Sequence, residues 1–156
     1  MKQEEIVEIL TKTGCLNQDG CDKPVINSMK LLEDPIVTNR LAVELLQQLP
    51  NDTKLDTILC LHNDEMLFAY SVATAAWARF VSAEVTDGKV SFLNGSDVVK
   101  GNKVLIVDDV LDDDSEIAAL VTEIEKREAK VIGVTSLFSF VDAQESGVAT
   151  YSLLSY

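Results

Sequence analysis

The residues best equipped for chemistry lie in one run. Residues 108–116 hold six acids in nine positions: Asp108, Asp109, Asp112, Asp113, Asp114 and Glu116, with Ser115 among them. Clustered carboxylates suit a hard divalent cation such as Mg²⁺ or Ca²⁺. The run lacks the alternating D-x-D-x-D-G spacing of a calcium loop. At a helix start the same residues have a simpler use. Acids beside the positive end of the helix, and a serine able to cap its free N–H groups, stabilise the first turn. A second polar run, His62-Asn63-Asp64-Glu65, carries the sole histidine of the chain. A histidine can serve as general base or metal ligand near neutral pH. His62 has no second histidine beside it and no nucleophile partner in the sequence, so it reads as a loop residue. Cys15, Cys21 and Cys60 form no C-x-x-C pair, and the odd count argues against a disulfide framework. Cys60 falls inside an apolar run and reads as a small core residue.

Helices and strands must position these groups. Residues 4–12 place Ile6, Val7, Ile9 and Leu10 on one side, an amphipathic helix. Residues 14–23 are rich in Gly, Asn and Asp and predict a loop. Asp34 and Pro35 are an N-cap and a first helical residue, and Ile36, Leu41, Leu45, Leu46 and Leu49 recur behind them at helical spacing. Pro50-Asn51 stops that helix. The rhythm then changes. Residues 55–61 form a strand-length apolar run. Residues 66–78 predict a mostly buried helix, with Trp77 and Phe80 as core or subunit-interface residues. Residues 79–85 and 89–93 flank Asp87-Gly88 as a hairpin, on which Glu84 and Lys89 form a cross-strand pair. Residues 103–107 and 130–141 read as buried strands, residues 112–128 as a helix with Ile117, Leu120, Val121 and Ile124 inward, and residues 149–154 as a last strand. Strands separated by helices predict an α/β fold with a mostly parallel sheet. Ligands in such sheets sit beyond the carboxyl ends of the strands, here residues 61–65 and 108–114.

Composition limits the partners. Thirteen Lys and Arg against 26 Asp and Glu give a net charge of −13. A chain this acidic is repelled by nucleic acid and by anionic membranes. The apolar stretches are strand-sized, too short for a membrane span. The opening Met1-Lys2-Gln3-Glu4-Glu5 lacks a secretory apolar region, so a cytoplasmic location is expected. With 156 residues the chain has room for one domain, residues 1–156, divided into an N-terminal helical segment of residues 1–50 and an α/β core of residues 55–156.

Val104-Leu105-Ile106-Val107-Asp108-Asp109-Val110-Leu111 resembles the signature strand of the type I phosphoribosyltransferases. Four apolar residues lead to two acids and two more apolar residues. Further stretches resemble the orotate phosphoribosyltransferase branch: Thr13-Gly14-Cys15, Lys30-Leu31-Leu32-Glu33-Asp34-Pro35, Phe68-Ala69-Tyr70-Ser71-Val72-Ala73, Phe80-Val81-Ser82-Ala83-Glu84, Gly147-Val148-Ala149 and Tyr151-Ser152-Leu153-Leu154. The resemblance implies a central mostly parallel sheet flanked by helices with an inserted β-hairpin, and a homodimer. It implies that Asp108 and Asp109 contact ribose hydroxyls and, in an active chain, are linked to Mg²⁺.

The departures fall at the anion contacts. The family cradles the 5′-phosphate in a T-T-G-G loop followed by Ser or Thr; here the matching residues are Asp112, Asp113, Asp114, Ser115 and Glu116. Neither glycine is present, so the loop loses the freedom to bring its backbone close to a phosphate. At about 4 Å and an effective dielectric near 20, each like-charge contact with a phosphate costs roughly 4 kcal/mol. The pyrophosphate loop is replaced by Leu61-His62-Asn63-Asp64-Glu65-Met66, and the hairpin that brings Lys and Arg to the leaving group carries only Lys89. The expectation is a non-catalytic binding or regulatory module with a nucleobase, a nucleoside or a protein as partner. Two alternatives stand beside it: an active orotate-type transferase using phosphoribosyl pyrophosphate and Mg²⁺, with Asp108, Asp109 and Lys89 at work, and a structural subunit of an oligomer.

Overall fold

Local signals in the N-terminal third set up three helical pieces. The structure, a computed structural model, describes residues 1–20, 22–63, 66–141 and 146–156. Helix α1 (Gln3–Lys12) buries Ile6 and Leu10 one turn apart. The segment expected to be a plain loop instead pairs a short strand β1 (Leu16–Asn17) antiparallel with β2 (Val25–Ile26). Two residues carry too little pattern to announce a strand; remote pairing makes it. A 3₁₀ turn at Ser28–Glu33 then leads into helix α2 (Pro35–Gln47). Here the cap chemistry holds as expected: Asp34 Oδ1 accepts the Val37 N–H at 3.1 Å, and Pro35 opens the helix. Ile36 departs from expectation, being 82% exposed while Leu41 and Leu45 are fully buried. At about 100° per residue Ile36 lies half a turn from Leu45, on the solvent side.

The core of the fold follows in order as β3 (Thr57–Leu61), α3 (Met66–Ala76), β4 (Arg79–Thr86), β5 (Lys89–Phe92), β6 (Lys103–Leu111), α4 (Ser115–Lys126), β7 (Lys130–Ser139) and β8 (Thr150–Ser155). Among the described residues the main sheet has six strands in the order β5-β4-β3-β6-β7-β8, parallel throughout except for the β4–β5 hairpin. The hairpin register sets Lys89 against Thr86 and Glu84 against Ser91, so Glu84 and Lys89 do not face each other as expected.

The sheet is packed on both sides. Helices α1 to α3 bury Leu10, Leu41, Leu45, Phe68 and Val72 against Leu105, Val107 and Phe138. On the other side α4 buries Ile117, Leu120, Val121 and Ile124 against Leu59, Val81, Ile106 and Val134. Each such side chain contributes roughly 1.5–3 kcal/mol by leaving water. Helix α4 starts at Ser115 rather than Asp112 and ends before Glu128, whose φ of +60° turns the chain left-handed. Helix α3 ends likewise: Trp77 has φ +55° and is 97% exposed, so it is not a core residue. Phe80 is half-buried, with its ring edge-on to Tyr70 at 5.6 Å. Among the described residues no helix is long and apolar enough to cross a membrane.

Candidate functional site

Strand β6 does not stop at Val107. It continues through Asp108 and Asp109 to Leu111, because β7 runs alongside: Asp108 lies against Ser136, Val110 against Phe138 and Leu111 against Ser139. The two acids therefore sit inside the ladder near its carboxyl end rather than in a loop beyond it. Strand order places β3 beside β6, and the carboxyl end of β3 with the first turn of α3 closes over the acids. Cys60, Leu61, Asn63, Met66, Ala69, Val107, Asp108 and Asp109 line a cleft of only about 10 Å³. That is at the lower limit for holding one water molecule.

The electrostatics follow from this enclosure. Burial, and next the neighbouring Asp109 carboxylate, push Asp108 up to about 8. Its Oδ1 accepts the Asp109 backbone N–H at 2.9 Å. Asp109 in turn accepts, at Oδ2, the hydroxyl of Ser28 at 2.5 Å. Ser28 comes from the N-terminal 3₁₀ turn, 81 residues away in sequence. The thiols of Cys15 and Cys60 are each pushed up to about 12, chiefly by burial and secondarily by Asp109 and Asp108 respectively. Neither is a thiolate nucleophile at neutral pH.

The start of α4 lies beyond the same end of β6. Asp114 is its N-cap residue and makes no side-chain capping bond. The capping falls to Asp113, whose Oδ1 accepts the Ser115 N–H at 2.8 Å. That backbone bond, and then the Ser115 hydroxyl, hold the exposed Asp113 carboxyl below its ordinary value. Asp112, Ser115 and Glu116 are exposed, and Asp114 is buried.

The structure thus gathers Asn63, Asp108 and Asp109 at one cleft and sets Asp113 and Ser115 at the adjacent helix start. His62 is exposed and outside the lining; its backbone N–H bonds to Ala83 O at 2.8 Å. Lys89 lies on edge strand β5, separated from β6 by β4 and β3. Asp64 and Glu65 lie outside the described residues, as does Cys21. Sequence reading missed Ser28 entirely. No local pattern marks it, since its partner is brought to it by the fold. Among the described residues no three His, Cys, Asp or Glu side chains converge at a spacing that would hold a metal ion.

No family model matches the sequence. Among curated relatives, an orotate phosphoribosyltransferase of a Nitratiruptor species is 32% identical over 140 residues, covering 88% of this chain and 69% of that protein. An orotate phosphoribosyltransferase of Desulforamulus reducens is 27% identical over 162 residues, covering 99% of this chain and 84% of that protein. Among solved structures, orotate phosphoribosyltransferase from Aeropyrum pernix superposes with a TM-score of 0.73 at 18% identity, covering 96% of this chain and 93% of that one. At that identity the superposition shows a shared fold.

Proposed function

The chain belongs to the orotate phosphoribosyltransferase family, and from that premise we propose that it is a non-catalytic member whose own side chains fill the family's ligand site. One observation carries this reading. The helix start that would cradle a phosphate already has a carboxylate on it, Asp113 on the Ser115 N–H at 2.8 Å. A helix N-terminus offers about half a positive charge and several free N–H groups. Asp113 takes up that offer from within the chain. The ribose acids support the same reading: Asp108 is enclosed in a cleft of about 10 Å³ and Asp109 is bound to Ser28.

In this role residues 1–156 act as one cytoplasmic domain, assembled as a homodimer, that binds or regulates through a nucleobase, nucleoside or protein partner. Helices α2 and α3 supply apolar surface for the dimer, with Ile36, Leu67, Tyr70 and Trp77 exposed. An active orotate-type transferase is the second reading, favoured by the Asp108–Asp109 pair kept at the end of β6. Among the described residues Asp108 and Asp109 stand together without a third His, Cys, Asp or Glu placed to hold a metal with them, so they do not make a dedicated protein site for the Mg²⁺ this activity implies.

Turnover tests this reading. Orotate and phosphoribosyl pyrophosphate with Mg²⁺ should give no orotidine monophosphate. Product above a no-enzyme control, lost in Asp108→Asn, would overturn the reading.

A further inference from the structure

The amino edge of the sheet, opposite the acids, carries a concentration of positive charge. Lys103 opens β6 and Lys130 opens β7, and the parallel register sets them directly across from each other. Lys54 lies just ahead of β3 and joins them in lining an open cleft of about 360 Å³. Like charges directly opposite on adjacent strands destabilise a sheet. Ion pairing does not relieve this: among the described residues the lysine ion pairs belong to Lys12, Lys30 and Lys100. The nearby Asp56 is otherwise engaged: Oδ2 accepts the Lys103 backbone N–H at 3.0 Å and Oδ1 accepts the Thr57 hydroxyl at 2.7 Å. Of the described residues lining the cleft, only Asp52 carries a carboxylate.

A chain with a net charge of −13 and 13 basic residues has thus set three lysines along one cleft. A second cleft of about 510 Å³ shares Asp52, Thr53 and Lys54 with the first and runs on along Leu46, Leu49, Leu55 and Ala76. Charge at one end and apolar lining at the other match a small amphiphilic anion. A nucleic-acid polymer is disfavoured, because its backbone would meet the acidic remainder of the surface.

We propose that this edge binds a phosphorylated small molecule, its phosphate held by Lys54, Lys103 and Lys130 and its apolar part lying along Leu49 and Leu55. Lysine ammonium groups bind phosphate as point charges. The site is separate from the acid end of β6, and it stands whether or not that end is catalytic.

Amide NMR on the full chain separates the two ends. Inorganic phosphate, titrated at constant ionic strength against chloride, should shift Thr53, Lys54, Lys103 and Val131 saturably. Phenyl phosphate should bind at least fivefold tighter and extend the shifts to Leu55 and Ala76. The double variant Lys103→Gln, Lys130→Gln should weaken both at least tenfold. Without ligand, Lys130→Gln should raise the melting temperature, since it removes repulsion; a lysine kept for structure would lower it. Shifts confined to residues 113–118, shifts that never saturate, equal affinity for the two probes, or binding unchanged in the double variant would overturn the proposal.

Discussion

Ser28 and Asp109, 81 residues apart, share a hydrogen bond of 2.5 Å that fastens the N-terminal 3₁₀ turn to the carboxyl end of β6. The bond places a piece of the N-terminal segment on one of the two acids near the end of β6. It also supplies a partner for a group that enclosure would otherwise leave costly. Removing the hydroxyl should therefore be felt in folding. Ser28→Ala is expected to lower stability by about 1–3 kcal/mol, the usual worth of such a bond when one partner remains behind. Urea unfolding followed by far-ultraviolet dichroism measures it. An unchanged midpoint would mean the hydroxyl bonds to solvent instead.

Asp108 gives the fold an unusual pH dependence. Burial first, and Asp109 next, hold it up to about 8. An unfolded aspartate titrates at about 3.9. Between those values the folded chain carries the extra proton, so stability falls as pH rises from about 4 to about 8 and levels off above. Asp108→Asn should remove that slope. The check is the difference between wild type and variant in unfolding free energy at pH 5, 7 and 9. A difference that stays constant across the three would show that Asp108 ionises normally.

Part of this was legible in the residues. Asp34 and Pro35 mark the start of α2 because capping is chemistry between residues three apart. Ile117, Leu120, Val121 and Ile124 mark the buried side of α4 by spacing alone. The acid run at residues 108–116 is visible as composition. What stayed hidden depends on remote partners. Asp108 and Asp109 belong to a strand only because β7 runs alongside them as far as Ser139. Ser28 matters only because folding brings it to Asp109. The lysine cleft is assembled from residues 54, 103 and 130, which no window of sequence joins.

The acidic loop should behave as a built-in substitute for an anion. Replacing residues 112–116 with Thr-Thr-Gly-Gly-Thr removes the Asp113 bond to the Ser115 N–H and leaves the helix start open. Stability in phosphate-free buffer should fall, and added phosphate should restore part of the loss. Thermal melts with and without phosphate decide it, run alongside wild type so that any effect at the lysine cleft is subtracted. A variant as stable as wild type without phosphate would show that the carboxylates contribute nothing to the helix start.

Trp77 reports on assembly. It is the sole tryptophan, it is 97% exposed, and its φ of +55° is a backbone state that a bulky residue rarely adopts. An exposed indole in that state gains nothing from the single chain. In a homodimer formed through α2 and α3, the ring would be covered together with Tyr70 and Leu67, both exposed on α3. Emission should then move to shorter wavelength as protein concentration rises, and the sedimentation mass should approach twice the 17.1 kDa of one chain. Trp77→Gly separates the two contributions. Glycine adopts the left-handed state without strain, so the single chain should be no less stable, by about 0–1 kcal/mol in its favour. The dimer should weaken, because the aromatic contact is gone. A wild-type chain sedimenting as 17.1 kDa at tens of micromolar, with emission independent of concentration, would rule this dimer out.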